Sequence, residues 1–113
     1  MKPGIYHVKF SSPASSNFGE GLAVFGNGNV NGGDPGYIYR GSYTLSGDKI
    51  EAKLRITRWN AAIPSIFGAF PEFELTLTGH MPSDGSLFYV EGKVLQNPRL
   101  SISINGRRLG DAV

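Results

Sequence analysis

Along residues 49–59, KIEAKLRITRW, apolar and polar side chains change places at every step. Ile50, Ala52, Leu54 and Ile56 fall on one side of an extended chain, and Lys49, Glu51, Lys53, Arg55 and Thr57 fall on the other. A period of two fits a strand and not a helix. Sorting this sharp marks an antiparallel strand with one face buried and one face wet. The charges then form a solvated face that also discourages edge-to-edge pairing.

The same alternation recurs along the chain. Residues 3–11 place Tyr6, Val8 and Phe10 opposite Ile5, His7 and Lys9. Residues 18–27 place Gly19, Gly21, Ala23 and Phe25 opposite Phe18, Glu20, Leu22 and Val24. The three small residues on one face of that strand leave room for a bulky neighbour or crossing strand, with a ligand as the sharper alternative. Residues 37–45 carry Tyr37, Tyr39, Gly41, Tyr43 and Leu45 on one face. Further strands are predicted at 29–31, 72–80, 86–95 and 99–105. Turn chemistry separates them at Gly26-Asn27-Gly28-Asn29, Gly32–Gly36, Ser46-Gly47-Asp48, Pro82–Gly85, Asn97-Pro98 and Asn105-Gly106, with a polar loop at 11–17. Eight short strands and no helix, joined by consecutive hairpins, predict a small eight-stranded antiparallel up-and-down β-barrel spanning 1–113 as one domain. A sandwich is the second choice.

Two stretches depart from alternation. Residues 59–71, WNAAIPSIFGAFP, are apolar, hold two prolines and have no period. Such a segment should cover something: a barrel end, or a protein contact. Trp59, Ile63, Ile66, Phe67 and Phe70 would supply the buried area, about 1.5–3 kcal/mol for each of the larger side chains sequestered. In 86–95 both faces are partly apolar, with Leu87 and Tyr89 opposite Phe88, Val90 and Val94. That pattern suits a central strand or a subunit interface, and Leu87, Phe88, Tyr89 and Val90 are the candidate dimer contacts.

The chemistry excludes more than it proposes. The chain has no cysteine, which removes disulfides, thiolate metal sites and cysteine nucleophiles. A net charge of +2 without a Lys/Arg stripe gives no case for direct nucleic-acid binding. No window is long and apolar enough for a membrane-spanning helix, and MKPGIYHVKF lacks the apolar core of a signal peptide; a cytoplasmic location is expected. His7 and His80 lie on different strands and are read as ordinary strand residues. Glu72 and Glu74 share a face, but opposite an alternating apolar face they are read as solvated. Glu20 is read as structural, bonding to turn amides. The glycines of 26–36 lack the Gly-Lys-Ser/Thr and the helix of a phosphate loop. Stacked tyrosines could bind bases or sugars, yet no basic groove accompanies them. No catalytic residue, metal site or cofactor is predicted.

An ordered series of residues carries a family resemblance. It runs Gly4-Ile5-Tyr6, Phe10, Gly19-Glu20-Gly21, Asn27-Gly28-Asn29, Gly32-Gly33-Asp34, Tyr39 with Gly41, then Arg58, Asn60 and Ile63-Pro64-Ser65. Over residues 4–65 the chain resembles the GrlR-like family of negative regulators of type III secretion. That resemblance implies a lipocalin-like barrel, a plugging loop at 60–68, and a homodimer joined by apolar barrel surfaces. It also implies repression by sequestering a transcriptional activator rather than by touching DNA. In the family an acidic run engages the activator from the turn before the strongly alternating strand. Here that turn reads Leu45-Ser46-Gly47-Asp48-Lys49, with a single acid. Gly47, Asp48 and Lys49 therefore mark the position of a partner-binding turn, while the acidic motif is not carried over. Glu20 and Asp34 are carried over as strand and turn determinants. The competing expectation is a carrier of a small apolar ligand held under the 60–68 segment; an enzyme is the least favoured.

Overall fold

The computed structural model describes residues 2–12, 18–65, 67, 71–81 and 85–113. Eight strands follow in chain order: β1 (Gly4–Ser11), β2 (Phe18–Gly26), β3 (Asn29–Gly33), β4 (Tyr37–Ser46), β5 (Lys49–Arg58), β6 (Glu72–His80), β7 (Leu87–Val94) and β8 (Asn97–Gly110). Each pairs antiparallel with the next, and β8 returns to pair with β1 from Ile5 to Ser11. That last ladder closes the sheet and selects a barrel over a sandwich.

Alternation decides what fills the interior. On β5, Ile50, Ala52 and Ile56 are buried while Lys49, Glu51, Lys53 and Arg55 face outward. The tyrosine face of β4 turns inward too, so Tyr37 and Tyr39 are core residues and not an exposed stacking platform. Outside, Arg55 lies 3.4 Å from Glu72 and 3.3 Å from Glu74, which makes this carboxylate pair the partners of one arginine on a wet surface.

The two ends of the barrel differ. At the end holding the Asn27-Gly28 hairpin, aromatic rings pack into a plug. Phe25 lies 5.3 Å from Tyr6, Phe88 and Tyr43, and Tyr6 lies 5.5 Å from Phe88. Edge-to-face contacts of this kind add to the area they bury. Tyr6 is fully buried, and its hydroxyl donates to the carbonyl oxygens of Lys2 at 2.6 Å and Gly85 at 2.7 Å. The opposite end is looser, with Phe73 beneath Tyr37 and Phe67 at 6.1 Å and 5.5 Å.

Three turn expectations are corrected. Asn105-Gly106 is not a turn but the middle of β8. A Cβ at Gly106 would stand 2.0 Å from Cε2 of Phe88, so the missing side chain is the space that ring occupies. Asn97-Pro98 begins β8, and the chain turns at Leu95-Gln96 instead. Pro98 sits where the β7 register breaks, between the Val94↔Asn97 and Lys93↔Ser101 pairs, so its missing amide interrupts no regular ladder. Gly32 and Gly33, expected within a turn, extend β3 and pair with Ala23 and Leu22. The Asn27-Gly28 turn stands as read: both residues have positive φ, 54° and 78°, as a type I′ hairpin requires.

Filling the space at Gly106 tests the plug. Gly106→Ala should cost about 1–3 kcal/mol in urea unfolding, the usual range for overpacking. Adding Phe88→Leu should restore part of it. A neutral Gly106→Ala would show that the ring is not held against β8.

Candidate functional site

Three stretches frame the looser end of the barrel: the start of β2 at Phe18–Glu20, the turn 34–36 between β3 and β4, and the segment 59–65 between β5 and β6. Asp34 ties them together. Its Oδ1 accepts the backbone N–H groups of Gly36 and Tyr37, both at 2.8 Å, an aspartate-capped turn of the kind Asp-Pro-Gly favours. Its Oδ2 accepts the Tyr39 hydroxyl. Its backbone carbonyl accepts the Trp59 indole N–H at 3.0 Å.

The next two residues hold the covering segment as well. The Pro35 carbonyl accepts from the Asn60 side chain at 3.1 Å, and the Gly36 carbonyl accepts the N–H groups of Trp59 and Asn60. Ile63 packs its Cβ and Cγ2 methyl where a Gly36 side chain would stand. The 34–36 turn is thus a bracket for 59–63.

The small residues of β2 find their reason here. A Cβ at Gly21 would lie 2.6 Å from the Tyr39 hydroxyl oxygen, and one at Gly19 would lie 2.6 Å from the Phe10 ring. The room on that face is taken by core side chains, the packing alternative of the sequence reading. Burial pushes the Tyr39 pKa far up, and the hydrogen bond to Asp34 and its charge push the same way, so the phenol stays protonated.

Beneath the bracket lies a cavity of about 410 Å³. Its wall is apolar, built from inward residues such as Val8, Phe25, Ile56 and Leu75, with Ile63, Pro64, Ser65 and Phe67 at the mouth. Among the described residues, Asp34 reaches it from the 34–36 turn, and Glu20 borders it at the rim with its carboxylate turned outward onto His7.

A family profile described as the type III secretion system negative regulator GrlR matches residues 1–112. The chain belongs to the GrlR family. No curated protein sequence matches it. Family membership implies a negative regulator of type III secretion.

Many of the residues that carry the GrlR resemblance meet at this mouth: Gly19, Glu20, Gly21, Asp34, Tyr39, Asn60 and Ile63-Pro64-Ser65 all touch the bracket or the cavity. Of the predicted covering residues, Ile63 and Phe67 line the cavity. Trp59 does not; it is 59% exposed and serves through its N–H. Ile66 and Phe70 lie outside the described residues. Gly47, Asp48 and Lys49 form an exposed turn at the plugged end, where the Asp48 carbonyl accepts from the Met81 N–H at 2.7 Å. On β7, Leu87 and Tyr89 face outward, but Phe88 and Val90 point into the core. Alternation commits Phe88 and Val90 to the interior, so of the four residues expected at a dimer contact only Leu87 and Tyr89 present their side chains outside.

Glu20 pairs with His7 at 2.8 Å on the outside of the barrel rather than with turn amides. His7 and His80 line one outer groove with Lys9, Leu87, Tyr89 and Arg107. Among the described residues no group of three or more His, Asp or Glu side chains could hold a metal ion. The Asp34–Tyr39 bond was not legible beforehand. Asp34 is a turn determinant in the sequence reading, but nothing local tells which phenol its second oxygen will meet.

Tyr39→Phe removes that bond and should cost about 1.5–3 kcal/mol, the range for hydrogen bonds to charged groups. Wild-type stability should also fall as pH rises past about 10, where the unfolded phenol ionises and the folded one does not. The variant should fall less steeply. Urea midpoints between pH 8 and 11 check both; parallel slopes would show that Tyr39 ionises freely in the fold.

Proposed function

We propose that this GrlR-family protein lowers type III secretion without catalysis, as a cytoplasmic homodimer that binds a transcriptional activator through the outside of its barrel. The match to the family over residues 1–112 carries the regulatory part of this reading. The outer surface supports the rest. Leu22 on β2, Leu87 on β7 and Leu109 on β8 are each about half exposed, at 48%, 50% and 51%. Register brings them to one side of the molecule: Leu22 pairs with His7, His7 with Arg107, and Arg107 with Leu87. Val24 and Ile5 pair in the neighbouring row, next to Leu109. An apolar band interrupted by a few polar groups is the usual form of a protein-binding face. The exposed Gly47-Asp48-Lys49 turn is a second contact in this reading.

The cavity favours a second reading, a small apolar ligand inside the barrel. Its 410 Å³ falls within the range of roughly 300–1,000 Å³ typical of small-molecule sites.

Raising the level of this protein in its host should lower transcripts of secretion genes together with the secreted effectors. Leu22→Asp and Leu87→Asp, folded by circular dichroism, should sediment as monomers and repress less. Transcripts that stay constant when the wild-type level is raised would overturn the regulatory reading.

A further inference from the structure

We propose that the outer wall formed by β6, β7, β8 and β1 docks an extended segment of a protein partner carrying two acidic residues two positions apart, with a large apolar residue beyond them. This rests on the reading of the outer surface as a protein-binding face and names the chemistry that the face accepts.

Register lays out the wall. One outward row runs His80, Tyr89, Asn105 and Lys9 across the four strands. The next row runs Leu87, Arg107 and His7. Both rows line a groove of about 470 Å³, with room for several side chains of a partner.

The fixed charges lining this groove have one sign. Lys9 and Arg107 are exposed, and among the described residues neither has a carboxylate partner. No described Asp or Glu lines the groove. The wall of β5 and β6 differs, since Arg55 there is met by Glu72 and Glu74. Two acids border the groove, and both are engaged. Glu20 holds His7 at 2.8 Å, and Glu91 accepts the Tyr89 hydroxyl at 3.0 Å.

Spacing then selects the occupant. Lys9 pairs with Asn105, two residues before Arg107, so the two cations are diagonal neighbours across one ladder, with Cα atoms roughly 7–8 Å apart. Side chains two residues apart on an extended chain stand about 6.8 Å apart, twice the rise per residue. Acids at such positions offer one carboxylate to each cation. The line from Lys9 through Arg107 runs on to β7, where Leu87 and Tyr89 are 50% and 39% exposed and meet an apolar side chain two positions further along. A nucleic-acid strand fits less well, because its unbroken run of phosphates would meet Glu20 or Glu91 on leaving the two cations. A second copy set face to face would bring Lys9 and Arg107 towards their own counterparts.

The test uses the whole chain and three fluorescein-labelled probes. They are a short peptide with Glu-Ala-Glu-Ala-Leu at its centre, the same peptide with Gln for Glu, and a short oligothymidylate. At low salt, fluorescence anisotropy should show the Glu peptide binding about fivefold to tenfold tighter than the Gln peptide. Near 0.5 M salt the gap should close to about twofold. Lys9→Glu with Arg107→Glu should reverse the preference, and the milder Lys9→Gln with Arg107→Gln should erase it. Lys53→Glu, outward on β5 across the barrel, should leave it unchanged. Equal binding of the two peptides, binding of neither, or an equal loss in Lys53→Glu overturns the groove assignment. The regulatory reading, judged by secretion transcripts, survives those results. Tighter binding of the oligothymidylate, or a double reversal that turns a dimer into a monomer, gives the groove to another occupant and overturns the assignment as well.

Discussion

The ladder between the first and last strands is the constraint on which the rest depends. Until β8 meets β1, seven hairpins make an open sheet with two unpaired edges, and such a sheet has no enclosed interior. Once Ile5–Ser11 pairs with Ser103–Gly110, every alternating strand acquires a definite inside and outside. The buried set on β4 and β5 and the exposed leucines on β2, β7 and β8 are consequences of that one closure.

Closure leaves a question of filling, and the two ends answer it differently. Large rings crowd the end holding Tyr6, Phe25, Tyr43 and Phe88, to the point that β8 must supply a glycine for Phe88. At the other end the rings meet in separate pairs, Phe10 with Tyr39 and Phe73 with Tyr37 and Phe67, and space remains. There the chain invests in hydrogen bonds instead of packing: one aspartate caps its own turn, holds Tyr39 and anchors Trp59, while its neighbours hold Asn60. A site framed by backbone carbonyls and a single carboxylate is directional in a way an apolar plug is not.

Much of this fold was readable from residues alone because a period of two is a local signal. β5 and β6 were plain from Ile50–Ile56 and Phe73–Leu77. Where reading failed, the cause lay in distant contacts. Asn105-Gly106 has the composition of a turn, and only the Phe88 ring across the ladder explains the glycine as packing space. Asn97-Pro98 looks like a chain reversal, and only the irregular β7–β8 register shows why proline is tolerated in a strand there. Phe88 and Val90 were grouped with Leu87 and Tyr89 because β7 is apolar on both sides; the barrel sends the first two in and the others out. The mouth was half legible: an aperiodic apolar segment and a turn at Asp34 were visible, and the attachment of one to the other was not.

The chain belongs to the GrlR family, and its barrel carries half-exposed leucines on the outside and an apolar cavity within. Both faces exist only if the sheet is closed. Native-state hydrogen exchange tests that most directly. Amides on the β1–β8 ladder should exchange as slowly as those on the β4–β5 ladder, both opening only in global unfolding. Amides of β1 and β8 that exchange orders of magnitude faster, as at a free sheet edge, would contradict it.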